Sequence, residues 1–172
     1  MSASKPIRVL IVDDHFATRL GLAMPVNNEP DMEVVGEAST GSHALDLYRR
    51  LTPDVVLMDY QLPDMSGVMT LSALRAAHPD ARVILLTILD GEENIFRAVE
   101  AGARGYLTKS CECADVLRAI RQVAQGGKFF PPEIAGLVIF LVGMTLAVLG
   151  VRDLFGIGNP AAMSPEQRWI GA

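Results

Sequence analysis

The chain has 172 residues, half of them hydrophobic, and a formal net charge of −5. That length suits one domain with an appendage, and the apolar content supplies a full core without disulfides or metal clips. The basic residues stand singly apart from Arg49-Arg50, which speaks against a nucleic-acid footprint, and Cys111 with Cys113 cannot make a disulfide framework.

Taken in order, the chain alternates apolar runs with helical stretches. Strands are expected near 7–12, 32–37, 54–59, 82–87 and 104–108, and helices near 15–27, 41–50, 66–77, 92–102 and 113–125. The first segment runs from Met1 to Lys5 straight into a strand, leaving no room for a signal peptide, and a cytoplasmic location is expected. Pro25 falls where the first helix should still be running, so that helix is expected to end early or kink there. Pro30 and Asp31 precede the second strand, Gly41-Ser42 opens the second helix, and Pro53 ends the loop before the third strand. Ser66 is a candidate cap for the third helix, which His78-Pro79 closes, and Gly67 suits a turn or a close backbone approach. Cys111 and Cys113 fall at the start of the fifth helix, where the helix N-terminus would favour a thiolate, but two cysteines with no nearby histidine make a poor metal site and are read as ordinary loop residues; Gly126-Gly127 ends the helix.

Five such units with short connections give an α/β fold, a single open parallel sheet covered on both faces. Ligands of such sheets bind beyond the carboxyl ends of the strands. There the landmarks collect: Asp13-Asp14 after Val9–Val12, Asp59 after Val55–Met58, Thr87 after Val83–Leu86, and Lys109 after Gly105–Thr108. Three carboxylates at one rim are costly unless a cation neutralises them, and Mg²⁺ is the natural ion for carboxylates, waters and a phosphoryl oxygen. Under those conditions one carboxylate can attack phosphorus. Lys109 would supply positive charge to the transferring group, and the Thr87 hydroxyl a hydrogen bond. His15, beside the acid pair, is read as a solvent-facing residue at the helix start.

The order Val-Asp-Asp, Leu-Met-Asp-Tyr-Gln-Leu-Pro-Asp-Met-Ser-Gly, Leu-Leu-Thr and Gly-Tyr-Leu-Thr-Lys-Ser resembles the receiver domain of bacterial two-component response regulators. Asp13-Asp14-His15, the segment from Glu29 to Ala38, and Ala124-Gln125-Gly126-Gly127 resemble the subfamily that usually carries a LuxR-type helix-turn-helix. The resemblance covers about residues 5–130. It implies a flavodoxin-like (βα)5 doubly wound parallel sheet in which Asp59 accepts a phosphoryl group from a sensor histidine kinase or phosphotransfer protein. It also implies Mg²⁺ bound by Asp13, Asp14, Asp59 and the backbone carbonyl of Gln61, contacts of Thr87 and Lys109 with the phosphoryl group, and Tyr106 as an aromatic switch. Homodimerisation follows from the same resemblance, and so does a chain that is no enzyme beyond self-phosphorylation from a phosphodonor and slow self-dephosphorylation. Ile88 stands where a small residue is common, so access to the site is expected to differ. Gln61 and Leu89 occupy positions that tend to tune phosphoryl lifetime.

The receiver is thus expected over 1–130, an apolar helix over 131–152 and a short tail over 153–172. Ile134 to Val151 is an eighteen-residue stretch with no charge. As a helix it would rise roughly 27 Å, close to the roughly 30 Å hydrocarbon core of a bilayer. Gly136, Gly143 and Gly150 recur every seven residues, as on helices that approach closely in membranes. Three readings stand open: a transmembrane anchor to the cytoplasmic membrane, a helix packed on protein, and a junction without biological meaning. The forty residues after Pro132 do not accommodate the DNA-binding module of the subfamily, so no direct nucleic-acid binding is expected, with a remnant of a DNA-binding transcriptional regulator as the alternative.

Overall fold

A computed structural model describes residues 5–88 and 91–130. They belong to one compact unit, residues 1–134; a second unit, 135–172, contains none of them. The apolar helix and membrane anchor expected over 134–151 therefore lie outside the described residues, as does Leu89. Among the described residues no helix is long and apolar enough to cross a membrane.

The elements alternate as the hydrophobic runs require. They are β1 Ile7–Val12, α1 Phe16–Asn28, β2 Met32–Ala38, α2 Gly41–Leu51, β3 Val55–Asp59, α3 Gly67–Ala77, β4 Val83–Thr87, α4 Glu92–Glu100, β5 Gly105–Thr108 and α5 Cys113–Ala124. All five strands are parallel, in the order β2-β1-β3-β4-β5. This is the flavodoxin-like doubly wound order, whose direction reverses between β1 and β3. Every residue of β3 and β4 is buried, as is Val9 to Val12 of β1, which is why these strands read as unbroken apolar runs and not as alternation. One face of the sheet is closed by a cluster that joins Val9, Ile11, Leu57 and Ile84 to Ala23 and Val26 of α1 and to Val116, Ala119, Ile120 and Val123 of α5.

The helix ends follow local chemistry. Thr40 and Ser66 accept the amide N–H groups of His43 and Met69 and so cap α2 and α3. Gly126 takes a φ of +88° just beyond α5, where a side chain would be strained. Of the two outcomes expected at Pro25, an early end is not found: the helix runs on to Asn28 with the proline inside it. The proline removes a single backbone hydrogen bond, the one its missing N–H would make to the Gly21 carbonyl, and does so near the C-terminus. Burial of Ala23 and Val26 against the sheet holds the turns on either side.

After α5 the chain returns to the sheet edge. Phe129 bridges Gly105 in parallel fashion, donating its N–H to the Arg104 carbonyl at 2.9 Å and accepting the Tyr106 N–H at 3.1 Å.

Candidate functional site

The carboxyl ends of β1, β3 and β5 bring Asp13, Asp59 and Lys109 together. Asp13 follows the last residue of β1 and is wholly buried; Asp59 ends β3 and is 4 % exposed. Lys109 Nζ lies 2.6 Å from Oδ2 of each. The contact with Asp59 is a hydrogen bond, whereas Asp13 Oδ2 sits off the hydrogen-bonding direction, a buried carboxylate oxygen with no hydrogen-bond partner. Asp13 Oδ1 accepts the His15 N–H at 2.8 Å, and Asp59 Oδ1 accepts the Gln61 N–H at 3.1 Å. Each carboxylate thus has one oxygen fixed by the backbone and the other turned toward Lys109.

Burial pushes the Asp59 carboxyl above the ordinary carboxylate range, against the pull of the Lys109 ammonium and the Gln61 N–H. Burial also works against the charge on Lys109, but the Asp13 and Asp59 carboxylates outweigh it and hold the ammonium above its ordinary value. Asp14 stands at the surface, where its Oδ1 lies 2.7 Å from Nδ1 of His15. As expected, His15 is mostly exposed, yet Asp13, Asp14, His15 and Asp59 each offer a ligand atom within 4.8 Å of the others. The site opens to solvent through a cleft of about 410 Å³ lined by Asp14, Thr18, Gln61, Pro63, Ile88 and Lys109, among others. Ile88 is 70 % exposed at this mouth.

The donor set suits a hard divalent cation. Three carboxylates converge, and the buried Asp13 Oδ2 meets only the Lys109 ammonium, a positive charge standing where a cation would be held. Thr87 ends β4, is buried, and its carbonyl accepts the Lys109 N–H at 2.7 Å, so it fixes the backbone from which Lys109 reaches the acids. Tyr106, in β5, is completely buried. Gly67 makes the close approach expected of it: a Cβ there would lie 2.1 Å from the Asp59 carbonyl oxygen, and its N–H donates to the Tyr60 carbonyl at 2.8 Å.

Some contacts around the site were not legible beforehand. Asp64 reaches back to the start of α2, accepting the N–H groups of Gly41 (2.8 Å) and Ser42 (2.9 Å) and the Ser42 hydroxyl (2.7 Å). It ties the loop after Asp59 to another helix. The acid at a Pro-Asp turn was visible, but its helix lies some twenty residues upstream. Cys111 gains nothing from the helix start. It precedes α5, whose cap is Glu112, and burial pushes its thiol up, so the helix start favours no thiolate there.

A buried acid at the β1/β3 reversal, a second acid beside it and a lysine bridging both stand at the carboxyl rim of the sheet, and the chain belongs to the response regulator receiver domain family, whose model matches residues 9–121. It is 41 % identical over 134 residues to the nitrate/nitrite response regulator protein NarP of Escherichia coli strain K12, covering 78 % of this chain and 62 % of that protein. It is 38 % identical over 133 residues to the transcriptional regulatory protein LiaR of Bacillus subtilis strain 168, covering 77 % and 63 %. The chain therefore spans less than two thirds of the length of these curated relatives. Among solved structures it resembles a LuxR-family two-component response regulator from Aurantimonas sp. SI85-9A1, with a TM-score of 0.74 and 35 % identity over 78 % of this chain and 96 % of that one. It also resembles the signal receiver domain of NarL from Mycobacterium tuberculosis, with a TM-score of 0.69 and 32 % identity over 72 % and 99 %.

Proposed function

We propose that Asp59 accepts a phosphoryl group from the phosphohistidine of a sensor histidine kinase or phosphotransfer protein. The observation that carries this reading is the Asp59 carboxylate itself, which lies within hydrogen-bonding reach of Lys109 and beside Asp13 at the floor of an open cleft. An Asp59 oxygen attacks phosphorus; the new P–O bond forms as the P–N bond to the donor imidazole breaks. Lys109 meets the charge on the equatorial oxygens, and Thr87 donates to one of them. Asp13, Asp14, Asp59 and the Gln61 carbonyl are the residues that would hold Mg²⁺. When bound, the ion neutralises the carboxylates and the incoming phosphoryl charge.

Once Asp59 carries a dianionic group, Thr87 and Lys109 are drawn to it. Lys109 leaves its bridge between Asp13 and Asp59, the space beside buried Tyr106 changes, and a two-state equilibrium shifts. The chain works as a signalling module and not as a turnover enzyme. Its place is the cytoplasm, with an anchor through 134–151 tested by membrane fractionation, where recovery in the soluble fraction alone rejects the anchor. Dimerisation belongs to the same reading and is tested by light scattering before and after phosphorylation.

Incubation with Mg²⁺ and acetyl phosphate followed by intact mass is the direct test. The wild type is expected to gain one phosphoryl group and Asp59→Asn none; undiminished labelling of that variant rejects Asp59 as acceptor. A second reading is favoured by the description of LiaR as a transcriptional regulatory protein: the chain would correspond to the receiver part of a DNA-binding regulator. Gel shifts with promoter DNA test whether this chain itself binds DNA, and no shift is expected.

A further inference from the structure

We infer that Arg19 and Glu37 form a positioning pair that sets the acid loop for its cation, an inference that rests on the phosphoryl-acceptor reading. Residues 13–15 join β1 to α1, and the carbonyls of Asp13 and Asp14 lie beyond the last paired residue of β1, Val12. Arg19, in the first turns of α1, turns back over this loop. Its Nη1 donates to the Asp13 carbonyl at 2.8 Å and approaches the Asp14 carbonyl at 3.3 Å. Its Nε donates to Glu37 Oε2 at 3.1 Å. Glu37 lies in β2 one residue before Ala38, whose carbonyl accepts the Asp13 N–H at 3.0 Å. Both backbone groups of Asp13 are therefore anchored, one directly on β2 and the other through Arg19.

Three features point to a role toward the cation and not to general stability. Arg19 holds the acids by their main-chain carbonyls, which leaves the carboxylate oxygens to face Lys109 and a metal. The Arg19 side chain is 16 % exposed, and a positive charge so close to the acid loop would oppose a cation; Glu37 neutralises it. The planar fork places its donors on separate nitrogens, Nη1 toward the two carbonyls and Nε toward the carboxylate, a fixed spacing that one ammonium nitrogen does not reproduce. Groups that orient metal-binding side chains without touching the ion are worth roughly 10–100-fold in metal affinity.

The test is Mg²⁺ titration of the full chain by calorimetry, with amide exchange of residues 13–16 measured in the absence of metal. Arg19→Ala should weaken Mg²⁺ binding roughly tenfold or more and speed exchange in the loop. Arg19→Lys should fall between it and the wild type. Glu37→Gln keeps an acceptor oxygen for Arg19 and removes only the charge, so it should fold normally and still bind Mg²⁺ more weakly. Arg121→Ala, which breaks a separate ionic clamp to Glu29 and Asp31, should leave both readouts unchanged. Wild-type affinity in Glu37→Gln and in folded Arg19→Ala overturns the inference, as does an equal loss in Arg121→Ala. Acetyl phosphate labelling of the wild type reads the acceptor assignment separately. A chain that binds Mg²⁺ but is not labelled sinks that assignment alone. A chain that binds no Mg²⁺ still reports the pair through metal-free loop exchange, and an unchanged loop there overturns it.

Discussion

Lys109 Nζ and Asp59 Oδ2 lie 2.6 Å apart although fifty positions separate them in the chain. The lysine leaves the end of β5, and its side chain reaches past β4 to the end of β3. There it also meets Asp13, so one ammonium balances two nearly buried carboxylates.

Lys109→Ala strips that balance. Without metal the variant should keep its fold but lose about 2–4 kcal/mol, the cost of leaving charges uncompensated in a largely dry site. Added Mg²⁺ should then raise its thermal midpoint more than it raises the wild type's. Equal Mg²⁺-dependent gains in the two proteins would show that the lysine does not compensate these acids.

Asp59→Asn works in the opposite direction. Burial raises the Asp59 carboxyl above its ordinary value of 3.8, so the folded state carries a penalty at neutral pH that is relieved as pH falls. Removing the charge should raise the metal-free midpoint at pH 7, while abolishing phosphoryl acceptance. A lower midpoint in scanning calorimetry would contradict the desolvation argument.

Gly67 and Gly21 make a matched pair. A Cβ at Gly67 collides with the Asp59 carbonyl at 2.1 Å, and backbone cannot yield as a side chain tip can. Gly67→Ala should cost about 1–3 kcal/mol and slow labelling of Asp59. Gly21 lies within α1 with nothing inside 4 Å of a Cβ, so Gly21→Ala should stabilise by about 0.5–1 kcal/mol through helix propensity. Urea denaturation of the two variants is expected to move in opposite directions.

Asp64 carries a pH signature. The N–H of Ser42, then its hydroxyl and the N–H of Gly41, hold its carboxyl well below the ordinary 3.8. A lowered acid contributes stability that is present above about pH 4 and is lost as pH falls through its folded value. Asp64→Ala should therefore cost about 1 kcal/mol at pH 7, as loss of a helix cap does, with the gap from wild type closing in strong acid. A gap that does not depend on pH would mean that packing, and not the carboxylate, ties the loop to α2.

Local pattern carried far in this chain. The buried runs at 9–12, 55–58 and 83–86 announce parallel strands because both faces of such a sheet are covered, and an acid, hydroxyl or lysine just past each run must emerge at the carboxyl rim. Ser66 and the glycines after Ala124 mark helix ends through hydrogen bonds and φ preferences that reach only a few residues. What reached further was hidden. At Pro25 the choice between an early end and a continued helix was open, because the burial of Ala23 and Val26 that sustains α1 is a tertiary fact. The helix start alone would favour a thiolate at Cys111, and the burial that opposes it is also a tertiary fact.

By itself, then, the order of residues determined the five strand–helix units, the placing of Asp13, Asp14, Asp59, Thr87 and Lys109 at one rim, and the family. Only the tertiary structure decided that Lys109 bridges Asp13 and Asp59, that Asp64 ties its loop to the start of α2, that Arg19 joins the acid loop to Glu37, and that Tyr106 is buried. The division has one physical cause. Strand and helix periodicity is written over two to four residues, whereas these bonds join groups 18 to 96 positions apart, which become neighbours only when parallel crossovers fold the sheet.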